Sequence, residues 1–192
     1  MKVPAAPSQA EIREKGSRFL AFVLPAAGEA EGKAALAALE RRFHDATHHC
    51  WAWRVGWPPR ERSSDAGEPS GTAGVPILQV LRGAGLTDVC AVVVRWFGGT
   101  KLGKGGLARA YAGATREAVA VLSILERIPT VTLAIEVPYD RLGAAKRLVR
   151  PPEVELAGEE YGEQVRLTLK VHEELLPTLL GSLPALGARK CE

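Results

Sequence analysis

The sequence predicts an α+β protein built in two units. Three observations carry this. Apolar, β-branched runs of strand length and Ala/Leu-rich stretches of helical spacing both occur along the chain. From Pro129 onward the expected elements follow the order βαββαβ, a ferredoxin-like pattern. The charge also changes sign there. Residues 1–128 hold 17 Lys/Arg against 12 Asp/Glu, a net +5, and residues 129–192 hold 8 against 10, a net −2. The expected division is therefore 1–128 and 129–192.

The elements read as follows. Arg18 to Leu24 is a strand closed by Pro25. Glu29 to Phe43 has Leu36, Leu39 and Phe43 at helical spacing, which buries one face. His48 to Val55 is a strand. Its alternation puts His48, Cys50, Ala52 and Arg54 on one side and His49, Trp51, Trp53 and Val55 on the other. Pro58 to Gly74 is dominated by Pro, Gly, Ser and charge and reads as a long loop of functional length. Val75 to Leu81 is a helix, Asp88 to Phe97 a buried strand and Leu107 to Leu125 a helix. In the second unit, strands are expected at Thr130–Val137, Glu153–Glu160, Gln164–Val171 and Ala188–Cys191. Helices are expected at Asp140–Val149, with Asp140 as N-cap, and at Glu173–Leu183.

Composition narrows the class. With 192 residues, 46% apolar and 24% charged, the chain has the make-up of a soluble globular protein. Cys50, Cys90 and Cys191 are odd in number and widely spaced, which argues against a disulfide framework or a zinc knuckle. The N-terminus has no apolar signal core and no run reaches membrane-spanning length, so a cytoplasmic location is expected. No metal and no cofactor is expected.

The most informative stretch runs from Val92 to Tyr111. Gly98, Gly99, Gly103, Gly105 and Gly106 crowd together with Thr100, Lys101 and Lys104 between a strand and a helix. Val89 to Arg116 carries Arg95, Lys101, Lys104, Arg109 and Arg116 and no carboxylate. A glycine loop whose N–H groups line a concavity, followed by a helix start, is an anion site in outline. Gly98, Gly103 and Lys104 match G-x-x-x-x-G-K, but Gly105 stands where a P-loop needs Ser or Thr for magnesium, which lowers the nucleotide-hydrolysis reading. Glycines that only make a tight turn are the bland alternative. That alternative does not explain two lysines and no carboxylate among five glycines.

The loop Ser64–Gly74 packs Asp65, Glu68, Ser70 and Thr72 among glycines. Ser70 or Thr72 suits a cap for the next helix. Asp65 and Glu68 suit solvated turns, support of the basic loop through Lys101 or Arg109, or acid–base work beside His48; spacing does not choose. His48 and Cys50 share a strand face, which fits a zinc or Cys–His site, or a structural pair. Trp51, Trp53 and Trp57 beside Arg54, Arg60 and Arg62 fit base stacking, although a core role suits Trp51 and Trp53 better.

Three motifs in order, ATHHCWAW, SSDAGEPSGTAGVPIL and VVVRWFGGTKLGKGGLARAYAGA, resemble the IMPACT/YigZ family over about residues 16–125. Trp96 departs from the tyrosine usual before Phe-Gly-Gly and keeps the aromatic character. The resemblance implies a first domain similar to domain 2 of ribosomal protein S5, with helices on one face of a mixed sheet. It implies a ferredoxin-like second domain similar to the last domain of elongation factor G. It also implies a translation setting, since eukaryotic members are associated with restraining a translation-factor kinase by competing for its activator. The expected function is a translation-associated regulator that binds RNA, the ribosome or a translation-factor partner through the basic loop. Arg95, Lys101, Lys104 and Arg109 would contact phosphate, with Arg54 and Arg60 at the edge. An enzyme acting on a phosphorylated small molecule or nucleotide and a protein–protein adaptor are the alternatives.

Overall fold

A computed structural model describes residues 1–191 and divides the chain into two compact units, Met1–Arg127 and Ile128–Glu192. In the first unit, β2 (Ser8–Glu14), β3 (Ser17–Pro25), β4 (His48–Val55), β5 (Arg60–Ser64) and β6 (Val89–Trp96) form a sheet in the order β2-β3-β6-β4-β5. Every neighbouring pair is antiparallel. A separate ribbon pairs β1 (Lys2–Pro4) with β7 (Ile124–Glu126).

β6 is apolar on both faces because both faces are covered. On one side, Ala91 and Val93 join Phe19, Cys50 and Ala52 beneath α2 (Gly74–Gly83) and α3 (Gly103–Ala120), which bring Ile77, Leu81, Leu107 and Tyr111. On the other, Val92 and Val94 join Phe22, Trp53 and Val55 beneath α1 (Glu29–Arg42), which brings Leu39. This corrects two expectations drawn from resemblance. The sheet is wholly antiparallel, and helices lie on both faces. The second apolar face of β6 needs a cover, and α1 supplies it.

Several elements of the first unit also differ from expectation. The expected loop from Pro58 contains β5, an edge strand whose Glu61 pairs opposite Arg54. Polar residues suit an edge, which is why they disguised it. α3 begins at Gly103, inside the glycine run, and ends at Ala120, and β7 takes residues that had read as helix. The strands β1 and β2 carry no clear signal in the sequence; β2 is largely exposed, so its alternation carries few apolar residues.

In the second unit, β8 (Thr130–Val137), β9 (Val154–Tyr161), β10 (Val165–His172) and β11 (Arg189–Lys190) form an antiparallel sheet in the order β11-β8-β10-β9. A 3-10 turn at Tyr139–Arg141 leads into α4 (Leu142–Lys146), and another at Glu173–Leu175 leads into α5 (Leu176–Ser182). This is the ferredoxin-like order. Leu133, Ile135, Leu167 and Leu169 face Ala145, Leu179 and Leu183. Asp140 does not cap its helix. Pro138 precedes the 3-10 turn and Arg141 holds the cap position of α4, neither with a side-chain bond, and Asp140 lies 3.6 Å from Arg141 instead. No described helix is long and apolar enough to cross a membrane.

Candidate functional site

The end of β6 holds a buried polar cluster with an exposed basic loop beyond it. Arg95 is 5% exposed. Its Nη1 donates to Glu68 Oε1 at 2.5 Å and its Nη2 to Ser17 Oγ at 3.3 Å, while Nε has no acceptor among the described residues. The Tyr111 hydroxyl donates to the same Glu68 oxygen at 2.7 Å, and burial pushes its pKa strongly up. His48 Nε2 lies 3.9 Å from that oxygen. His48 Nδ1 lies 2.9 Å from the Ala66 carbonyl, which can only accept, so Nδ1 carries the proton. Glu68 therefore gathers β4, β6 and α3 around one carboxylate.

Asp65 has a different task. Its Oδ1 accepts from the Ala73 and Gly74 N–H groups and its Oδ2 from Gly71, each at 2.8 Å. Burial alone would raise its carboxyl, and the three backbone N–H groups overcome that and hold it below the usual carboxylate range. Asp65 thus caps α2 from a distance. Ser70 and Thr72 do not: Ser70 is exposed, and the Thr72 hydroxyl donates to the Pro69 carbonyl at 2.6 Å. Cys50 donates to the Asp65 carbonyl at 2.9 Å, and burial raises its thiol to about 12. A thiol held that high is a poor nucleophile and a poor metal ligand. No group of three or more His, Cys, Asp or Glu is placed to hold a metal among the described residues.

Three of the expected phosphate contacts are not at the loop surface. Arg95 is neutralised by Glu68 beneath the surface. Arg54 stands opposite Val89, at the other end of β6 from Arg95. Its Nε donates to Glu61 at 2.7 Å, and its Nη1 reaches the Leu86 carbonyl at 2.5 Å and the Leu81 carbonyl at 3.4 Å, so it serves the C-terminus of α2. Arg60, paired with Val55, belongs to that same far end. Trp51 and Trp53 stack on one another with centroids 4.0 Å apart, and Trp53 is buried.

The loop from Phe97 to Leu102 is exposed apart from Leu102. Its root is fixed. Gly98 donates to Ser17 Oγ at 3.2 Å, and a Cβ on Gly98 would collide with the Gly16 carbonyl and the Ser17 nitrogen. Gly103, with φ +70°, starts α3 in a conformation that suits glycine. Leu102 holds the cap position without a side-chain bond, and the first turn has no acidic residue. The first N–H groups of α3 therefore keep their partial positive charge. Gly99 and Thr100 form the tip with Lys101, while Lys104, Gly105 and Gly106 lie on the first turn. The Arg109 guanidinium lies 3.4 Å from where a Gly105 side chain would begin. Lys101, Lys104 and Arg109 form no ion pair among the described residues. Asp65 and Glu68 do not support them; Glu68 turns to Arg95.

Ser17 and Tyr111 are not among the residues the sequence marks for the site. Tyr111 had a signal: it falls one turn after Leu107 on the apolar face of α3, where a phenol needs a partner. Ser17 had none beyond its place after Gly16.

Residues 15–119 match the family model described as the Impact N-terminal domain. The chain is 35% identical over 162 residues to "IMPACT family member YigZ" of Escherichia coli (strain K12), covering 83% of this chain and 79% of that one. It is 43% identical over 155 residues to "IMPACT family member in pol 5'region" of Thermus thermophilus, covering 81% and 84%. A crystal structure described as that of a hypothetical protein is similar with a TM-score of 0.74 and 30% identity, covering 98% of this chain and 95% of that one.

Proposed function

The chain belongs to the IMPACT family, and on that premise we propose that it is a translation-associated regulatory protein that binds RNA, free or on the ribosome, through the basic loop after β6. The observation that carries this reading is the contrast in ion pairing. Arg95 and Arg54 each have a glutamate, while Lys101, Lys104 and Arg109 stand exposed without one among the described residues, around an uncapped helix start. Unpaired cations beside free N–H groups suit phosphate oxygens. The loop root, held by Ser17 and Gly16, keeps these groups in place before a ligand arrives. Little ordering is then left to do on binding.

Fluorescence anisotropy with a labelled RNA, measured across a range of salt, tests the reading. Each phosphate contact on a single strand steepens the fall of affinity with salt by a slope of about 0.7. The triple variant Lys101→Ala, Lys104→Ala, Arg109→Ala is expected to lose about 2 units of that slope. Binding that is indifferent to salt, or a triple variant that binds as tightly as the parent, refutes it. A pulldown with and without RNase separates RNA binding from a protein adaptor role.

A further inference from the structure

Phe97 is 47% exposed at the root of the basic loop. Its N–H donates to Thr47 Oγ1 at 3.0 Å, and its ring centroid lies 5.5 Å from the buried Arg95 guanidinium. Arg95 is in turn held by Glu68 and Ser17. The ring is thus an exposed apolar plate on a fixed mount. Trp96, pointing to the opposite sheet face, is in a similar setting. The Arg18 guanidinium lies 4.4 Å over its ring, Asp45 accepts from its Nε1 at 2.8 Å, and the Phe43 ring meets it edge-on at 5.6 Å with Arg42 beyond. Aromatic rings backed by arginines therefore lie on both sides of the strand end that leads into Lys101 and Lys104.

We infer that this site takes single-stranded nucleic acid, with one base stacked on Phe97 and the flanking phosphates on Lys101 and Lys104. The inference rests on the reading of the loop as a phosphate site and names which nucleic acid it takes. A duplex hides its base faces and presents a backbone, so an exposed ring beside the cations gains nothing from it. A single strand offers a π-face at every base, and a rigid ring needs no particular sequence to use it. An acidic protein segment satisfies the lysines but leaves the ring without a matching partner. The tryptophans of β4 cannot fill this role, because Trp53 is buried and Trp51 stacks on it.

The test uses the full chain and a fluorescein-labelled oligouridine of about 12 nucleotides, with an RNA duplex of the same length as the second probe. Phe97→Ala is expected to weaken oligouridine binding about tenfold and to leave duplex binding and the salt slope unchanged. Phe97→Tyr keeps the ring and restores the affinity. Thermal melting of both variants checks that an exposed side chain has been changed without loss of the fold. Equal binding of single strand and duplex by the parent, or a Phe97→Ala variant as tight as the parent, overturns the inference while the phosphate reading stands. No binding of either RNA, or displacement by polyglutamate as effective as by unlabelled oligouridine, overturns the phosphate reading itself.

Discussion

Two arginine–glutamate pairs sit at opposite ends of the β4–β6 pairing, and they do different work. Arg54 and Glu61 have side chains 14% and 20% exposed, and Glu61 is shared with Arg82 at the surface. The Arg82 side-chain bond, set against some desolvation and helped by Arg54, holds the Glu61 carboxyl below its usual range. This pair closes the end of a helix. Arg95 and Glu68 have side chains 5% and 3% exposed, and they gather Tyr111 and Ser17 as well. This second pair is the floor under an exposed loop. A buried pair adds little net stability over an apolar substitute, but half of one is very costly. The Arg95 pair therefore fixes geometry more than it adds stability, and the loop above it is where that geometry is used.

The largest break in this comparison comes at the buried end. Glu68→Ala leaves the Arg95 charge buried and alone, and is expected to cost about 3–5 kcal/mol, lowering the melting temperature by about 10 °C or more. The double variant Glu68→Leu, Arg95→Met should recover part of that loss in a denaturant titration, the buried Tyr111 hydroxyl still costing about 1–3 kcal/mol without its acceptor. RNA affinity should stay reduced in the double variant, because the Phe97 mount is gone. Recovery of both would mean that the pair has no positioning role.

Asp65→Asn comes next, at about 1–2 kcal/mol by urea unfolding, since three backbone N–H groups lose their charged acceptor. Its pH dependence has a definite sign. The folded carboxyl lies below its unfolded value, so its contribution is present above the ordinary carboxylate range and is lost as pH falls through the folded value. The gap between parent and Asp65→Asn should be full at neutral pH and close below about pH 4. A gap that widened in acid would contradict the capping role. Arg54→Ala is expected to cost about 1 kcal/mol, from lost bonds to the α2 carbonyls, and to leave RNA binding unchanged. Reduced RNA affinity in that variant would put Arg54 back at the interface. Arg82→Ala, with its side chain half exposed, should have the smallest effect of these and fade in salt.

Much of this fold is legible in local pattern. The bounds of β4 and β8 follow from alternation, and the apolar run of β6 announces a strand covered on both sides. β5 was not legible, because an edge strand of arginine, glutamate and serine looks like a loop until its partner is known. The candidate site divides in the same way. The lack of carboxylates around Lys101 and Lys104 is visible in the chain, and so is the missing hydroxyl at Gly105. The sharing of one carboxylate by Arg95 and Tyr111 is not visible. Glu68 precedes them by 27 and 43 residues, and no periodicity links positions that only the sheet brings together. Counting charges therefore made Arg95 a free cation, when burial had already matched it.

The ribbon that pairs Lys2–Pro4 with Ile124–Glu126 sets the start and finish of the first unit side by side. Its covalent path can then be closed there by a short linker and reopened in the turn between β4 and β5, where Trp57 and Pro58 are exposed. Such a permutant keeps every strand pairing of the sheet while moving the new ends to the opposite end of β4 from the basic loop. It would present the loop on a single-unit chain.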